Sequence, residues 1–363
     1  MSNMTKKQND ELDRKISELT RYLKQRSSPK KYIQLMNEIR QLQVQQRYGL
    51  VFEEHSEETV IHPRAKLKEI VGLRIDNEGQ DNILIEGENL VALYLLRKKY
   101  SSKIDVICID PPYNTGMDWL NYGDHEYKDM EDIYPHSKWL SFINARLKIA
   151  YELLSDDGIM FINIDENETG TLLLLCHQLF GEKNVDVLIW PKTDCRFDIN
   201  RVDKPHREIR IVHEYVFACF KNREKTKVNK IMSPVELNGE WVDRPSTLET
   251  IIKGLGTTSS AKDELGALFG DRLIFQTPKP MRLMKELIRF ASKSNSIVLD
   301  FFAGSGTTGH ATMDLNKEDG GHRSFILITN NENDICRKIT YKRLKKVIEK
   351  EKYKENIIYY EIK

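Results

Sequence analysis

Apolar residues fall into two rhythms along this chain. Short β-branched runs bounded by turn residues predict buried strands, and apolar positions three to four apart predict amphipathic helices. Strands are expected at Asn82–Gly87, Ile104–Ile109, Ile159–Ile164, Val185–Trp190, His213–Phe220, Ile297–Leu299 and Phe325–Thr329. Helices are expected at Leu90–Tyr100, Trp139–Leu154, Thr171–Phe180, Pro280–Ser292 and His310–Leu315, the second of them closed by Asp156-Asp157-Gly158. Such alternation predicts an α/β fold whose mainly parallel sheet is covered on both faces.

The rhythm changes in a few segments. Leu12, Ile16, Leu19 and Leu23 repeat at helical spacing, Ser27-Ser28-Pro29 interrupts, and Ile33, Met36, Ile39 and Leu42 resume. Residues 1–48 are therefore expected to form a helical hairpin. Met117–Tyr134 is polar and studded with aromatics, as in a long loop or lid. Lys221–Phe275 carries turn signals (Asn238-Gly239, Arg244-Pro245, Gly254-Leu255-Gly256) and predicts a small module inserted between two sheet-forming stretches, 49–220 and 276–345. A basic tail is expected at 346–363.

Two strand ends carry the chemistry. Ile104–Ile109 runs into Asp110-Pro111-Pro112-Tyr113, where the prolines end any regular structure. A carboxylate, carbonyls outside any ladder and an aromatic ring are thereby held at the carboxyl edge of a sheet, where open α/β folds bind ligands. Ile297–Leu299 ends in Asp300 and passes into Phe301-Phe302-Ala303-Gly304-Ser305-Gly306-Thr307-Thr308. The glycines formally match a dinucleotide loop, and a nicotinamide enzyme is one reading. Against it, an acidic residue precedes the loop, and Glu332 lies 26 positions past Gly306 rather than the roughly 20 of a dinucleotide site. Asp300 instead suits a ligand bearing an ammonium, such as S-adenosylmethionine, with Glu332 or Asn330 placed for ribose hydroxyls.

The net charge of +1 hides an asymmetry. Ser101–Gly170 holds five Lys/Arg against fourteen Asp/Glu, whereas Lys192–Lys230 holds eleven against six and Cys336–Lys363 ten against four. Basic segments around an acidic body fit an electrostatic footprint for a polyanion. The five cysteines show no Cys-x-x-Cys or His/Cys cluster, so no metal site is expected. Their scatter fits a reducing cytoplasm. No signal peptide or membrane span is evident.

Asp110-Pro-Pro-Tyr113 with Phe302-Ala-Gly304-Ser-Gly306 resembles the signature pair of the amino-methylating DNA methyltransferases. The order, catalytic loop first and cofactor loop last, resembles the β-class adenine-N6 enzymes. Ile85-Glu-Gly-Glu-Asn-Leu, Trp139-Leu-Ser-Phe, Ile164-Asp-Glu-Asn-Glu, His213-Glu-Tyr and Thr277-Pro-Lys-Pro look like the modification subunits of type III restriction–modification systems. The resemblance implies a Rossmann-like S-adenosylmethionine-dependent methyltransferase fold, with a seven-stranded sheet and permuted motif order. Its implied reaction is methyl transfer to the N6 amine of adenine in double-stranded DNA, without a metal.

By the same resemblance, Asp110 and the Pro111 carbonyl accept the amine hydrogens and Tyr113 stacks on an extruded base. Glu88, where the family usually has Asp, would face the cofactor's adenine, and Thr277 and Lys279 would lie near the cofactor. Trp190 and Phe197 are candidates for the base pocket. Lys192, Arg196, Arg201, Lys204, Arg207 and Arg210 are candidates for DNA contacts. The Lys221–Phe275 insertion would read the target, and a homodimer and a restriction subunit are implied partners. The insertion, about 55 residues, is short for a type III modification subunit. The exocyclic amine of cytosine is the alternative acceptor, and a non-catalytic DNA-binding relative is a further one.

Overall fold

The computed structural model describes residues 52, 61–115, 135–194 and 209–363. The expected hairpin at 1–48, the lid at 117–134, and Arg196, Phe197, Arg201, Lys204 and Arg207 lie outside the described residues.

Among those described, a nine-stranded sheet is the centre of the fold. Its strands are β1 (Leu67–Glu69), β2 (Asp81–Glu86), β3 (Ile104–Ile109), β4 (Leu154–Ile164), β5 (Val185–Trp190), β6 (Glu214–Phe220), β9 (Ile297–Asp300), β10 (Ser324–Thr329) and β11 (Asn356–Ile362). A separate antiparallel hairpin comprises β7 (Ile231–Leu237) and β8 (Glu240–Ser246). The helices are α1 (Asn89–Tyr100), α2 (Pro135–Leu153), α3 (Thr169–Phe180), α4 (Thr258–Phe269), α5 (Met281–Ala291), α6 (Thr307–Asp319) and α7 (Tyr341–Glu351).

The strand order is β1-β11-β2-β10-β9-β3-β4-β6-β5. The seven strands from β2 to β5 in that order correspond to the seven expected from the sequence. Strands β2, β10, β9, β3 and β4 are parallel, and β6 runs antiparallel between β4 and β5. Ile104, Val106, Ile107, Cys108 and Ile109 of β3 are all buried, as a strand covered on both faces requires. Asp105 is the exception in that run, and its carboxylate accepts from the Ile297 amide at 2.8 Å, joining the starts of β3 and β9.

Three expectations are corrected. The sheet has nine strands rather than seven, because β1 and β11 extend it beyond β2. The tail expected at 346–363 holds the end of α7 and then β11, which pairs parallel with β2 and antiparallel with β1. Ile357 and Tyr359 are buried at alternate positions, but flanking lysines and glutamates mask that period in the sequence. Asp156-Asp157-Gly158, expected as a helix-ending turn, lies inside β4 where its register against β3 shifts. The inserted segment also reaches into the main body of the fold. Ile231, Ile252 and Leu255 belong to the principal core, and Ile252 donates its amide to the Ile189 carbonyl of β5 at 2.8 Å.

After β3 the chain continues to β4 on one side, whereas after β9 it continues to β10 on the other. The crevice at such a reversal is where open α/β sheets hold ligands. Register pairs Val106 with Val298 and Ile107 with Leu299, so Asp110 and Asp300 leave the same sheet edge from adjacent strands.

Candidate active site

The β3 exit is pinned at every step. Asn163 of β4 donates to the Ile109 carbonyl at 2.9 Å, and the Trp139 indole N–H donates to the Pro112 carbonyl at 2.7 Å. Asn114 takes the left-handed conformation (φ 57°) and donates to the wholly buried Glu168, which His136 also meets at 2.8 Å. Prolines set the backbone, and these contacts hold its direction. Among the described residues no donor meets the Pro111 carbonyl.

Asp110 is the centre of an ion cluster. The Lys279 ammonium donates to both its oxygens, at 2.8 and 2.7 Å, and to the Tyr113 hydroxyl oxygen at 2.7 Å. The Tyr113 hydroxyl donates to Asp110 and lies 3.2 Å from Glu214. Glu214 Oε2 lies 3.3 Å from Lys279 Nζ, and Glu214 Oε1 lies 3.3 Å from Lys192 Nζ. Burial raises the Asp110 pKa, partly offset by Lys279 and reinforced by Glu214. Burial also opposes charge on Glu214 and Lys279, but opposite charges outweigh it, leaving the Glu214 carboxyl lowered and the Lys279 ammonium raised. Tyr113 is pushed well upward by burial and then by Asp110 and Glu214, which keeps its hydroxyl protonated. Asp165, at the end of β4, is raised to about 6 by burial.

The β9 exit is built differently. Asp300 accepts from the Phe302 amide at 3.0 Å and from the Thr308 hydroxyl at 2.6 Å. Among the described residues no cation pairs with it, and burial raises its pKa to about 7. Gly306 is left-handed (φ 79°), and a Cβ there would meet Thr340 Cγ2 at 3.1 Å. Thr340 donates to the Gly304 carbonyl at 2.6 Å. The buried Arg343 reaches Ser305 and Thr307 at 3.1 and 2.8 Å. The front of the loop is braced by Asn89, which donates to the Phe301 carbonyl at 3.0 Å, and by Phe142 beside Phe302, with ring centroids 6.0 Å apart. A buried, cation-free carboxylate at a helix-starting glycine loop fits the ammonium and carboxylate of a methionine-like group.

The remaining expected site residues have the following surroundings. Lys279, expected beside the cofactor, contacts Asp110. Glu88 caps α1 through the Val91 amide and pairs with Arg146 at 2.6 Å. Trp190 is buried, donates to the Gly256 carbonyl at 3.0 Å, and lies 5.8 Å from Lys279 Nζ. Ala303 is buried, donating its amide to the Ile328 carbonyl at 3.1 Å. Thr277 and Glu332 are exposed, and Asn330 and Arg210 are half-buried. Glu214, Asn114, Glu168 and Arg343 are contributors that sequence reasoning did not single out. Glu214 left two signals, its place in His213-Glu-Tyr and its position as a lone acid opening the apolar run Tyr215–Phe220.

Residues 104–343 match the family described as DNA methylase. The Mod subunit of the type III restriction-modification enzyme StyLTI from Salmonella typhimurium is 30% identical, covering 75% of this chain and 56% of that protein. The EcoPI Mod subunit of Escherichia phage P1 is 28% identical, covering 71% and 58%. The type II methyltransferase M.KpnI of Klebsiella pneumoniae is 28% identical, covering 70% and 82%. The chain thus spans little more than half the length of the two Mod subunits. A solved structure of the M1.HpyAVI–SAM complex is 20% identical with a TM-score of 0.40, covering 73% of this chain and 98% of that one. The match across both strand-end loops shows that the chain belongs to the N6/N4 DNA methylase family.

Proposed function

We propose that the chain methylates the N6 amine of adenine in DNA, with S-adenosylmethionine as donor. The observation that carries this is the pairing of β3 with β9, which sets Asp110 and Asp300 at one sheet edge. When bound, S-adenosylmethionine supplies a methyl group activated by a sulfonium. Asp300 and the Gly304–Gly306 backbone would hold its methionine part, and Asn330 or Glu332 its ribose.

The N6 lone pair of adenine is delocalised into the ring, so the amine is a weak nucleophile. The Asp110 carboxylate, facing the Lys279 ammonium, and the Pro111 carbonyl can accept its two N–H bonds and draw the nitrogen toward tetrahedral geometry. Tyr113 offers a ring face whose orientation is fixed by the hydroxyl's bonds to Asp110 and Glu214. Extruding a base costs a few kcal/mol, and stacking on an aromatic returns about 1–3 kcal/mol per base. Positioning supplies much of the remaining acceleration.

The Lys221–Phe275 segment, with its β7–β8 hairpin and the 64% exposed Trp241, is the proposed target reader. Lys192 is a proposed phosphate contact. A homodimer, a partnering restriction subunit and a cytoplasmic location belong to the same reading. The test is incubation of unmodified duplex DNA with the chain and methyl-labelled S-adenosylmethionine, followed by nucleoside mass spectrometry. Labelled N6-methyldeoxyadenosine is expected; labelled N4-methyldeoxycytidine would reassign the base, and unlabelled DNA would defeat the proposal.

A further inference from the structure

We infer that the Lys279 ammonium is a two-seat gate on the amine-accepting site. It rests on Asp110 and Tyr113, and Glu214 is the seat to which it withdraws when a base amine enters. The inference builds on the proposed amine-accepting role of Asp110.

Lys279 donates to both Asp110 oxygens at 2.8 and 2.7 Å and to the Tyr113 oxygen at 2.7 Å. Those carboxylate lone pairs are the ones an incoming exocyclic amine requires. A carboxylate has about four acceptor sites, but a single ammonium bridging both oxygens occupies the space between them. Lysine and amine therefore compete for one place.

The lysine has no easy route to water. Its side chain is 7% exposed, and Pro278 and Pro280 on either side restrict the backbone that carries it. A buried ammonium stripped of its anion is costly, so displacement needs another anion within reach. Glu214 Oε2 lies 3.3 Å from Nζ, against 2.7–2.8 Å for Asp110, so the second seat is within a short swing and is the weaker contact at rest. Tyr113 and Trp190 flank the path, with ring centroids 5.1 and 5.8 Å from Nζ.

Glu214 is thus a positioning residue acting through Lys279. Occupancy of Asp110 by lysine lowers the fraction of protein competent to accept a base, and apparent affinity falls by that fraction. Removing the lysine should raise affinity for the base. Removing the second seat should lower it. A structural role for the cluster would make both changes harmful.

The full chain, saturated with S-adenosylhomocysteine, is titrated with 2′-deoxyadenosine 5′-monophosphate by calorimetry. Lys279→Met is expected to lower the dissociation constant by about tenfold, as for a resting state that is roughly nine-tenths closed, and Glu214→Gln to raise it by about threefold or more by shrinking the open fraction further. Lys279→Gln replaces Lys279→Met if the latter does not fold. Constants that move in the same direction, or do not move, overturn the gate. Methyl transfer to duplex DNA by the unaltered chain is followed separately; its absence defeats the proposed function whatever the constants do.

Discussion

The exits of β3 and β9 lie side by side at one sheet edge, yet they are built by opposite means. Asp110–Tyr113 is stiffened from within by two prolines and from the side by charged groups: Lys279, Glu214 and, through Glu214, Lys192. Asp300–Gly306 contains glycines and is stiffened from behind, by Thr340 on the Gly304 carbonyl and Arg343 on Ser305 and Thr307. The first loop spends its side chains on an ion cluster and leaves the Pro111 carbonyl without a donor among the described residues. The second is braced in front only by Asn89 and Phe142, and its buried carboxylate has no cation among the described residues. A reacting amine needs fixed acceptors, and a bulky cofactor needs room near backbone N–H groups. The difference between the loops follows from those two needs.

The largest expected effect separates them at once. Asp110→Ala removes an amine acceptor and should lower methyl-transfer turnover by about a thousandfold, a loss typical of a group acting on the reacting atoms. Because Lys279 keeps Glu214 as a partner, the variant should fold, and circular dichroism melting checks that. Asp300→Ala should instead weaken S-adenosylmethionine binding by roughly thirtyfold, matching loss of a charge-assisted contact of about 2 kcal/mol. Calorimetry reads that constant, and undiminished affinity would remove Asp300 from the cofactor site.

A smaller effect probes the brace behind the second loop. Gly306→Ala forces a left-handed φ on a residue with a Cβ and presses it against Thr340, which should cost about 1–2 kcal/mol of stability. Denaturant unfolding measures it. A variant as stable as the parent would show that the loop's curvature is not fixed from behind.

The smallest effect concerns pH. Burial lifts Asp300 from its ordinary range to about 7, so its protonated form is favoured in the fold. Its contribution to the free protein is complete at low pH and is lost as pH rises through about 7, at up to ~1.4 kcal/mol per unit. A cationic ligand reverses that penalty. The thermal shift produced by S-adenosylmethionine should therefore grow between pH 6 and pH 8, and Asp300→Asn should flatten the trend. The same growth in Asp300→Asn would place the titration elsewhere.

Both loops were legible in the sequence because each is local. A buried β-branched run, an acid at its end, and prolines or glycines beyond it define a strand exit whatever surrounds it. The seven expected strands were legible for the same reason. What surrounds the loops was not. Lys279 is 169 residues from Asp110, and Glu214 is 101 from Tyr113, so no local pattern joins them. Arg343 sits in a run with Lys342, Lys345 and Lys346, and only its burial in the packed fold distinguishes it. Strand β11 was hidden because its apolar run Ile357–Tyr360 is only four residues long and shows no alternation, and it lies among the lysines and glutamates of the basic C-terminal stretch. The Glu88 cap on α1 is local, but its ion pair with Arg146, 58 residues away, is again beyond any local pattern.

The central claim is a division of labour between two adjacent strand ends. Its most direct test is to measure saturating turnover and the cofactor dissociation constant side by side for Asp110→Ala and Asp300→Ala. The account predicts that Asp110→Ala loses turnover while its cofactor constant stays near that of the parent, and that Asp300→Ala loses affinity while turnover recovers at saturating cofactor. Undiminished turnover in Asp110→Ala, or an exchange of the two phenotypes, would contradict it.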